Sequence, residues 1–333
     1  MARPSEDELI ARYFAPLAGP GGLALVDDAA LLTPSPGHDL VLTVDALVAG
    51  VHFLPGDPPD AIAAKALGVN LSDLAAKGAE PVGFLLALAL PDDWTEAWLA
   101  GFCGGLGAAS QASGCQLLGG DTVRAAGPLT ISITAIGQVP AGQMVRRTTA
   151  RPGDMICVTG TIGDAALGLA LLDGSDPAWQ GALDAADRAF LVDRYRRPRP
   201  RTALAPALRD LASAAMDVSD GLAGDAAKML RASGVTGAID LDRLPLSPAA
   251  RAALAAAPAL LDRIAGGGDD YEILFTLPPG RWDAMAREAA GLGLALTAIG
   301  EVREGEEPLC LRLHGSAYAL ATRSFQHFGA AFQ

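Results

Sequence analysis

Apolar residues follow two spacings along the first 140 residues of the chain. Short apolar runs and alternating apolar and polar residues predict strands, whereas apolar residues that recur every three to four positions predict helices. The predicted strands of this part are Leu23–Val26, Ala29–Leu32, Leu40–Val44, Val82–Leu90 and Leu129–Val139. The predicted helices are Asp60–Ala79, Thr95–Ser113 and an N-terminal helix that opens at Ser5, because Ser5 and Glu8 have the spacing of a capping box.

The second half resumes this alternation after a break. A Pro-Ala-Gly sequence at Pro140–Gly142 interrupts the pattern, so we expect two domains, residues 1–140 and residues 141–333. The predicted strands are Met155–Thr159, Ala214–Val218, Ile239–Leu241, Glu272–Leu277, Leu296–Val302 and Leu309–Leu313. The predicted helices are Asp164–Leu172, Leu222–Ala232, Pro248–Leu261 and Arg281–Gly291. Strands and helices mixed in both halves indicate an α/β (α+β) fold class.

Composition indicates a large folded core and excludes several classes of function. The 333 residues are 50% apolar and 19% charged, against about 25% charged in an average soluble protein, which excludes disorder as the main state. The net charge of −13 argues against a basic surface for nucleic acid or an anionic membrane. The longest strongly apolar run, Val82–Leu90, is shorter than the ~20 residues that cross a bilayer. The cysteines lack CxxC spacing and the N-terminus lacks a signal-peptide pattern, so we expect a cytoplasmic protein.

Aspartates follow several of the predicted strands, next to Gly, Ser or Thr. The stretches are LALVDD, VLTVDA, VNLSDLAAKG, LLGGDT, AMDVSDGL and GGGDDYE. A single aspartate of this kind is more often a turn former or a helix cap than a ligand. The set as a whole favours a hard divalent cation, because a carboxylate beside a buried strand is costly unless its charge is compensated. Mg²⁺ fits this pattern, since it takes one or two carboxylates together with phosphate oxygens and water.

The same stretches indicate a nucleotide site of an uncommon kind. The chain has no GxxxxGK[ST] motif, no GxGxxG after a strand, and no HRD or DFG kinase signature. The Gly119–Thr122 stretch could bring backbone amides to an anion while Asp121 holds a metal, although a plain tight turn explains the spacing equally well. The Asp217–Gly221 stretch opens a predicted helix whose N-terminus favours phosphate.

Taken in chain order, these motifs resemble those of the thiamine-monophosphate kinase family, in the superfamily that includes aminoimidazole ribonucleotide synthetase and selenophosphate synthetase. The matching stretches are DDAALL, TVDALVAGVHFLP, KALGVNLSDLAAKGAEP, LLGGDT, VTGTIGDAALGLALL, AMDVSDGLAGDAAKML, GGGDDYEILFT and the closing SFQHF. The resemblance implies transfer of the γ-phosphoryl group of ATP to thiamine monophosphate, the last step of thiamine diphosphate biosynthesis. It also implies a two-domain aminoimidazole-ribonucleotide-synthetase-like fold. Residues 1–140 would bind ATP and Mg²⁺ and form a barrel-like sheet across a homodimer, and residues 141–333 would complete the active site.

The resemblance further implies a role for individual residues. Several Mg²⁺ ions would be the cofactors and ATP the co-substrate. The implied Mg²⁺ ligands are Asp28, Thr43, Asp45, Asp73, Asp121, Asp217 and Asp220, with the carbonyl of Val44. The implied ATP-binding residues are Gly120, Asp121, Arg147 and Ser219, and the implied substrate-binding residues are His52, Asp269 and Phe325. No catalytic residue is assigned, because a phosphate acceptor is already ionised at pH 7 and needs no general base.

Five positions depart from the family pattern. Val26 and Ala125 stand where the family usually has Gly, and Ala46 stands where it has Thr. Asp269 replaces a Glu and Phe325 replaces a Tyr. The last two changes concern the shape of the substrate pocket rather than the type of reaction.

Two other functions remain open from the sequence, namely another ATP-dependent enzyme of the superfamily and a non-catalytic ATP-binding maturation partner. Selenophosphate synthetase is disfavoured because no cysteine precedes Cys103, and the hydrogenase maturation factor because the chain ends FGAAFQ without a terminal cysteine. Without the resemblance, a capping or core-edge role explains His52 as well as substrate contact does; with it, substrate contact is favoured. We expect Lys77 to be solvated, and the proline-broken Arg196–Arg201 stretch to be a solvated loop or an interface strap with no role in the site.

Overall fold

The computed structural model describes residues 4–175, 177–322 and 324–325. The chain divides into two units, residues 1–74 with 79–144, and residues 75–78 with 145–333. The described helices are α1 (Glu6–Leu9), α2 (Pro59–Ala76), α3 (Glu96–Ser113), α4 (Asp164–Asp173), α5 (Ala185–Arg196), α6 (Ala205–Leu211), α7 (Leu222–Ala232), α8 (Pro248–Ala256), α9 (Leu260–Gly266) and α10 (Trp282–Gly291). The described strands are β1 (His38–Val48), β2 (Glu80–Leu90), β3 (Gln116–Arg124), β4 (Thr130–Pro140), β5 (Met155–Thr159), β6 (Ala214–Asp217), β7 (Thr236–Asp240), β8 (Ile273–Leu277), β9 (Leu296–Arg303), β10 (Cys310–Leu313) and β11 (Ser316–Ala317).

The described part of the first unit contains a four-stranded sheet in the order β1-β4-β2-β3. Strand β4 runs antiparallel to both β1 and β2, whereas β3 runs parallel to β2. Alternate residues of β4, such as Ile131 and Ile133, are fully buried, because side chains of a strand point to opposite faces. Helix α2 packs on this face, where Leu74 lies close to Gly137 of β4. The sheet therefore has one covered face and one face that leaves apolar side chains of β1 exposed.

The described part of the second unit contains a seven-stranded sheet in the order β11-β10-β7-β9-β5-β8-β6. Both faces of its centre are covered. Ile156 and Val158 of β5 belong to the core that includes residues of α4, α7, α8 and α9, whereas Cys157 between them belongs to the core that includes residues of α6 and α10. Strands covered on both faces have nearly continuous apolar sequences, which explains MICVT in β5 and ILFTL in β8. The fold class is therefore α/β with mixed sheets, as expected.

The predicted strands Leu23–Val26 and Ala29–Leu32 are wrong. The Pro20–Leu25 stretch is a kinked 3₁₀ segment in which φ of Leu23 is 50°, and residues 29–32 form neither helix nor strand. A strand requires negative φ, so the apolar run could not pair as predicted. The N-terminal capping box is confirmed, since Ser5 N–H donates to Oε2 of Glu8 at 2.8 Å and Glu8 N–H donates back to Oγ of Ser5 at 3.3 Å.

Several further elements differ from the pattern-based prediction. Strand β3 was missed because Gly119 and Gly120 are typical of a turn, and helices α5 and α6 were missed beside the proline-rich stretch between them. The predicted helix Pro248–Leu261 is two helices, because Pro258 disfavours helical backbone at Ala257, whose φ is −143°. In the described part of the chain, no helix has both the length and the apolar character needed to cross a membrane.

Candidate active site

A cavity of about 660 Å³ lies beside β3 in the first unit. Its lining includes Asp27, Asp28 and the Gly119–Thr122 stretch, together with apolar side chains such as Phe14 and Leu86. Two motifs that are distant in the chain, DDAALL and LLGGDT, therefore line one space. A cavity with a few carboxylates and a glycine-rich edge suits a ligand that brings its own phosphates and cations.

Asp121 lies within β3 and not in a turn. Gly120 pairs with Leu86 of β2, just after an irregularity in the register of the two strands. A Cβ at Gly120 would lie 1.8 Å from the carbonyl oxygen of Leu86, so only glycine allows the strands to approach this closely. The irregular edge of the sheet thus presents the exposed Asp121 side chain at the wall of the cavity.

Thr43, Asp45 and Asp73 form a second group, where α2 packs on β1. The Thr43 hydroxyl donates a hydrogen bond to Oδ2 of Asp73, and Asp45 N–H donates to Oδ1 of Asn70 at 3.1 Å. Asn70 is fully buried, and its amide donates to the carbonyl of Ala66 at 3.0 Å. Sequence reasoning missed Asn70, although an amide within the apolar VNLSDL stretch is a signal of a buried polar contact. The lining of the cavity beside β3 includes none of this group.

His52 lies in the turn that follows β1. Its Nδ1 accepts a hydrogen bond from Val48 N–H at 3.0 Å, so the proton of the neutral ring is on Nε2. This bond is the capping role that the sequence left open, and it also fixes the orientation in which the ring could meet a ligand. Val44 pairs with Thr134 in the β1–β4 ladder, and its side chain is 60% exposed on the open face of the sheet.

The DVSDG motif of the second unit follows β6. Asp217 is the buried last residue of this strand, and Asp220 is partly exposed. Asp225 in the first turn of α7 accepts hydrogen bonds from the N–H groups of Ser219 and Asp220 at 3.1 and 3.0 Å. Lys228 donates to Asp220 at 2.5 Å and to Asp225 at 2.9 Å. Lys228 therefore forms ion pairs with both carboxylates of this cluster.

For both Asp225 and Lys228, burial and hydrogen bonding shift the pKa in opposite directions. Burial raises the pKa of Asp225, and the hydrogen bond from Lys228 offsets only part of that effect. For Lys228, burial lowers the pKa, but the hydrogen bonds to Asp220 and Asp225 outweigh it, so the pKa is raised. Lys228 therefore stays charged at neutral pH.

The GGGDDYE loop lies against the DVSDG segment. Asp269 N–H donates to the carbonyl of Ser219 at 2.9 Å, and Phe325 N–H donates to the carbonyl of Asp220 at 2.9 Å. A Cβ at Gly268 would lie 2.3 Å from the carbonyl oxygen of Ser219, so the close approach of the two segments requires glycine. The structure therefore brings Asp269 and Phe325 next to Ser219 and Asp220. Residues 326–328 of the closing SFQHF signature lie outside the described residues.

Glu272 is fully buried at the end of this loop and binds several donors. Arg194 donates to its Oε1 at 2.8 Å, and Nε of Arg201 donates to its Oε2 at 2.7 Å. The Thr159 hydroxyl also donates to Oε2, at 2.6 Å. The expectation that the whole Arg196–Arg201 stretch is solvated or a strap is therefore wrong for Arg201. A glutamate directly before the apolar run of β8 was the available signal that a cation must lie nearby.

The remaining cations of the motifs occupy different positions. The side chain of Arg147 is exposed, and its carbonyl accepts a hydrogen bond from the Ser233 hydroxyl at 3.1 Å. Lys77 donates to the carbonyl of Ala215 at 2.7 Å, so the expectation that it is solvated is wrong. Lys65 is 1% exposed on α2.

Comparison with known family models covers both parts of the chain. Residues 26–139 match the N-terminal domain of the AIR synthase related proteins, and residues 151–308 match their C-terminal domain. The two-domain AIR-synthase-like fold implied by the motifs is therefore confirmed.

Individual relatives define the family more closely. The thiamine-monophosphate kinase of Caulobacter vibrioides is 46% identical over 310 residues, which are 92% of this chain and 86% of that protein. The crystal structure of thiamine-monophosphate kinase from Stenotrophomonas maltophilia is 41% identical with a TM-score of 0.78, over 88% of this chain and 91% of that chain. AaThiL complexed with AMPPCP and TMP is 31% identical with a TM-score of 0.77, over 98% of this chain and 99% of that chain. This chain therefore belongs to the thiamine-monophosphate kinase family of AIR synthase related proteins.

Proposed function

We propose that this protein transfers the γ-phosphoryl group of ATP to the phosphate of thiamine monophosphate, giving ADP and thiamine diphosphate. Its relatives are thiamine-monophosphate kinases, and AaThiL, which has nearly the same length and fold, is complexed with AMPPCP and TMP. The observation that carries the proposal is the cavity in which Asp28 and the Gly119–Thr122 stretch meet. A carboxylate pair and a glycine-rich strand edge in one cavity suit a metal-bound triphosphate.

Mg²⁺ is the proposed cofactor. The proposed ligands in the first unit are Asp28, Thr43, the carbonyl of Val44, Asp45, Asp73 and Asp121, and those in the second unit are Asp217 and Asp220. These donors are all oxygens, which suits Mg²⁺. Among the described residues no three His, Cys, Asp or Glu side chains form a ready metal cluster, so we expect phosphate oxygens to complete the coordination.

The chemistry proposed for the bound ions is charge neutralisation. Unit charges ~4 Å apart repel by roughly 1 to 4 kcal/mol, depending on the effective dielectric, and two polyanions must meet here. Bound Mg²⁺ would lower this repulsion. The chain contributes Gly120, Asp121, Arg147 and Ser219 as the proposed ATP-binding residues.

We propose direct in-line transfer with no general base and no covalent intermediate. The acceptor phosphate has a second pKa near 6 and is an anionic nucleophile at pH 7. Burial raises the pKa of the Cys103, Cys115 and Cys157 thiols to about 12, so these three do not supply a thiolate. Inversion at a chiral γ-phosphorus would support a single step, and retention would contradict it.

The heterocyclic end of the acceptor is the proposed ligand of His52, Asp269 and Phe325. The thiazolium ring is a cation, so the Phe325 ring can attract it by cation–π interaction and Asp269 by charge. The backbone bonds of Asp269 and Phe325 to neighbouring carbonyls of Ser219 and Asp220 support a shared role of these two residues. Cytoplasmic location and a homodimer with a barrel-like sheet across the dimer remain part of the proposal.

The first experiment measures ADP release with ATP and Mg²⁺, comparing thiamine monophosphate, free thiamine and no acceptor. We expect ADP release only with thiamine monophosphate, and none in excess EDTA.

The second experiment is a variant. Asp121→Asn should lose at least about tenfold in kcat/KM, or ~1.4 kcal/mol. Asp39→Asn is the matched control, because Asp39 is an exposed aspartate of the same sheet. Its carboxylate accepts a hydrogen bond from Gly142 N–H. Equal or faster turnover of free thiamine would overturn the proposed acceptor, and full turnover in EDTA would overturn the metal.

A further inference from the structure

Residues 269–272 alternate between the interior of the second unit and its surface. Asp270 and Glu272 are 1% and 0% exposed, whereas Asp269 and Tyr271 are only partly buried. The loop carrying them connects α9 to β8. The two inward acids therefore anchor a segment whose two outward side chains face away from the core.

The inward acids are held by groups from other parts of the same unit. Oδ2 of Asp270 accepts a hydrogen bond at 2.7 Å from Gly163 N–H, at the start of α4. Arg194 donates to the Asp270 carbonyl at 3.3 Å and to Glu272 at 2.8 Å. A buried carboxylate with such partners is costly to move, because any other position would leave it without them.

The outward residues have a backbone conformation that L-residues rarely adopt. The φ angles of Asp269 and Tyr271 are 71° and 49°. Such a conformation is strained and persists only where the surroundings enforce it. Here Tyr271 N–H donates to the carbonyl of Val218 at 2.9 Å, beside the bond from Asp269 N–H to Ser219. The strain fixes the direction in which the two side chains leave the loop.

The Tyr271 hydroxyl then donates a hydrogen bond to Oδ1 of Asp269 at 3.1 Å. We propose that Tyr271 is a positioning residue, which holds the Asp269 carboxylate in the orientation that receives the cationic ring of the acceptor. This inference rests on the proposed function, because Asp269 is a proposed substrate contact there. The phenol holds one carboxylate oxygen of Asp269 and so limits the orientations of this side chain. The role has added weight here because Asp269 is one methylene shorter than the glutamate typical of the family.

The test removes this one hydroxyl. Tyr271→Phe should raise the KM for thiamine monophosphate about three- to tenfold, the effect of losing one typical intramolecular hydrogen bond. The kcat and the KM for ATP should change less than twofold, a split that a general loss of folded enzyme would not produce. Tyr318→Phe is the matched control, because Tyr318 donates to Oδ1 of Asp262 at 2.8 Å in the same unit. We expect that variant to have wild-type constants for both substrates.

A second pair of variants separates this inference from the proposed function. Asp269→Asn should raise the KM for thiamine monophosphate by more than Tyr271→Phe does, and adding Tyr271→Phe to it should have little further effect. An unchanged KM in Asp269→Asn would remove Asp269 from the site and overturn the proposed substrate contact. A raised KM in Asp269→Asn with a normal KM in Tyr271→Phe would overturn only the role of Tyr271. A parallel fall of kcat for all substrates would show a structural role and also overturn it.

Discussion

Glu272 pairs with two arginines in the second unit, and its negative charge compensates their positive charges. The side chains of Glu272 and Arg194 are 0% and 3% exposed, and that of Arg201 is 21% exposed. Loss of the carboxylate would leave two cations without their buried partner. The cost of such a loss generally exceeds the gain from forming the pair.

We expect Glu272→Gln to lower the free energy of unfolding by about 3–5 kcal/mol, because it leaves buried charge uncompensated. The measurement is urea unfolding followed by circular dichroism. Glu301→Gln is the control, since Glu301 pairs with Arg303 where both side chains are about half exposed, and it should cost about 0–1 kcal/mol. Equal losses in the two variants would contradict this account.

Asp270 makes a pH-dependent contribution to stability. Burial raises its pKa well above the usual value of 3.8, although hydrogen bonds from backbone N–H groups and the charge of Arg194 act the other way. The folded state therefore keeps this proton to a higher pH than the unfolded chain does. The stabilisation is complete below the usual pKa and is lost as pH rises through the raised pKa.

The corresponding variant is Asp270→Asn, which cannot titrate. The free energy of unfolding of the wild type minus that of the variant should fall as pH rises above about 4. Urea unfolding of both proteins at several pH values measures this difference, and effects common to both cancel. A difference that rises with pH would show that the partners of Asp270 outweigh its burial.

At the scale of elements, β3 determines where the first cavity forms. Its position depends on Gly120, because any larger residue would collide with the backbone of β2. Leu23–Leu25 have positive φ and lie in the segment that packs along this strand, where Gly19 N–H donates to the carbonyl of Leu117 at 2.8 Å. Strand, glycine and kinked segment together form the wall that presents Asp28 and Asp121.

Gly120→Ala should therefore destabilise the first unit by about 1–3 kcal/mol through forced displacement of β3. It should also weaken ATP binding, because the wall of the cavity moves. Thermal unfolding and the KM for ATP measure the two effects. Gly127→Ala is the matched control, since nothing lies within 4 Å of the position its Cβ would take. A Gly120→Ala protein with wild-type stability would show that the strands can separate at little cost.

At the scale of the whole molecule, the open face of the first sheet is the feature that bears on assembly. Along β1, Leu40, Leu42 and Val44 are 39%, 62% and 60% exposed, and Leu85 of β2 on the same face is 37% exposed. Several exposed apolar side chains on one face of a sheet are typical of an interface between protein chains. It supports the proposed homodimer.

Leu42→Lys should convert the proposed dimer to a monomer, because it places a charge in the interface core where charged residues are depleted. Sedimentation velocity at several protein concentrations measures the change. Leu292→Lys is the control, because Leu292 is 47% exposed in the second unit and outside this sheet. Wild-type protein that sediments as a monomer, or a Leu42→Lys protein that remains dimeric, would contradict the proposed interface.

The sequence by itself determined the fold class, most strands and helices, and the motifs that identify the family. These depend on apolar spacing and short motifs, which are local properties of the chain. The tertiary structure decided that Asp28 and Asp121 line one cavity, that Thr43 bonds to Asp73, and that the segment after Pro20 is not a strand. It also decided the partner of Glu272, since Arg201 lies 71 residues away in the chain. No local pattern encodes such a pairing, because the cost of burying a charge is set by whichever distant side chain the fold brings against it.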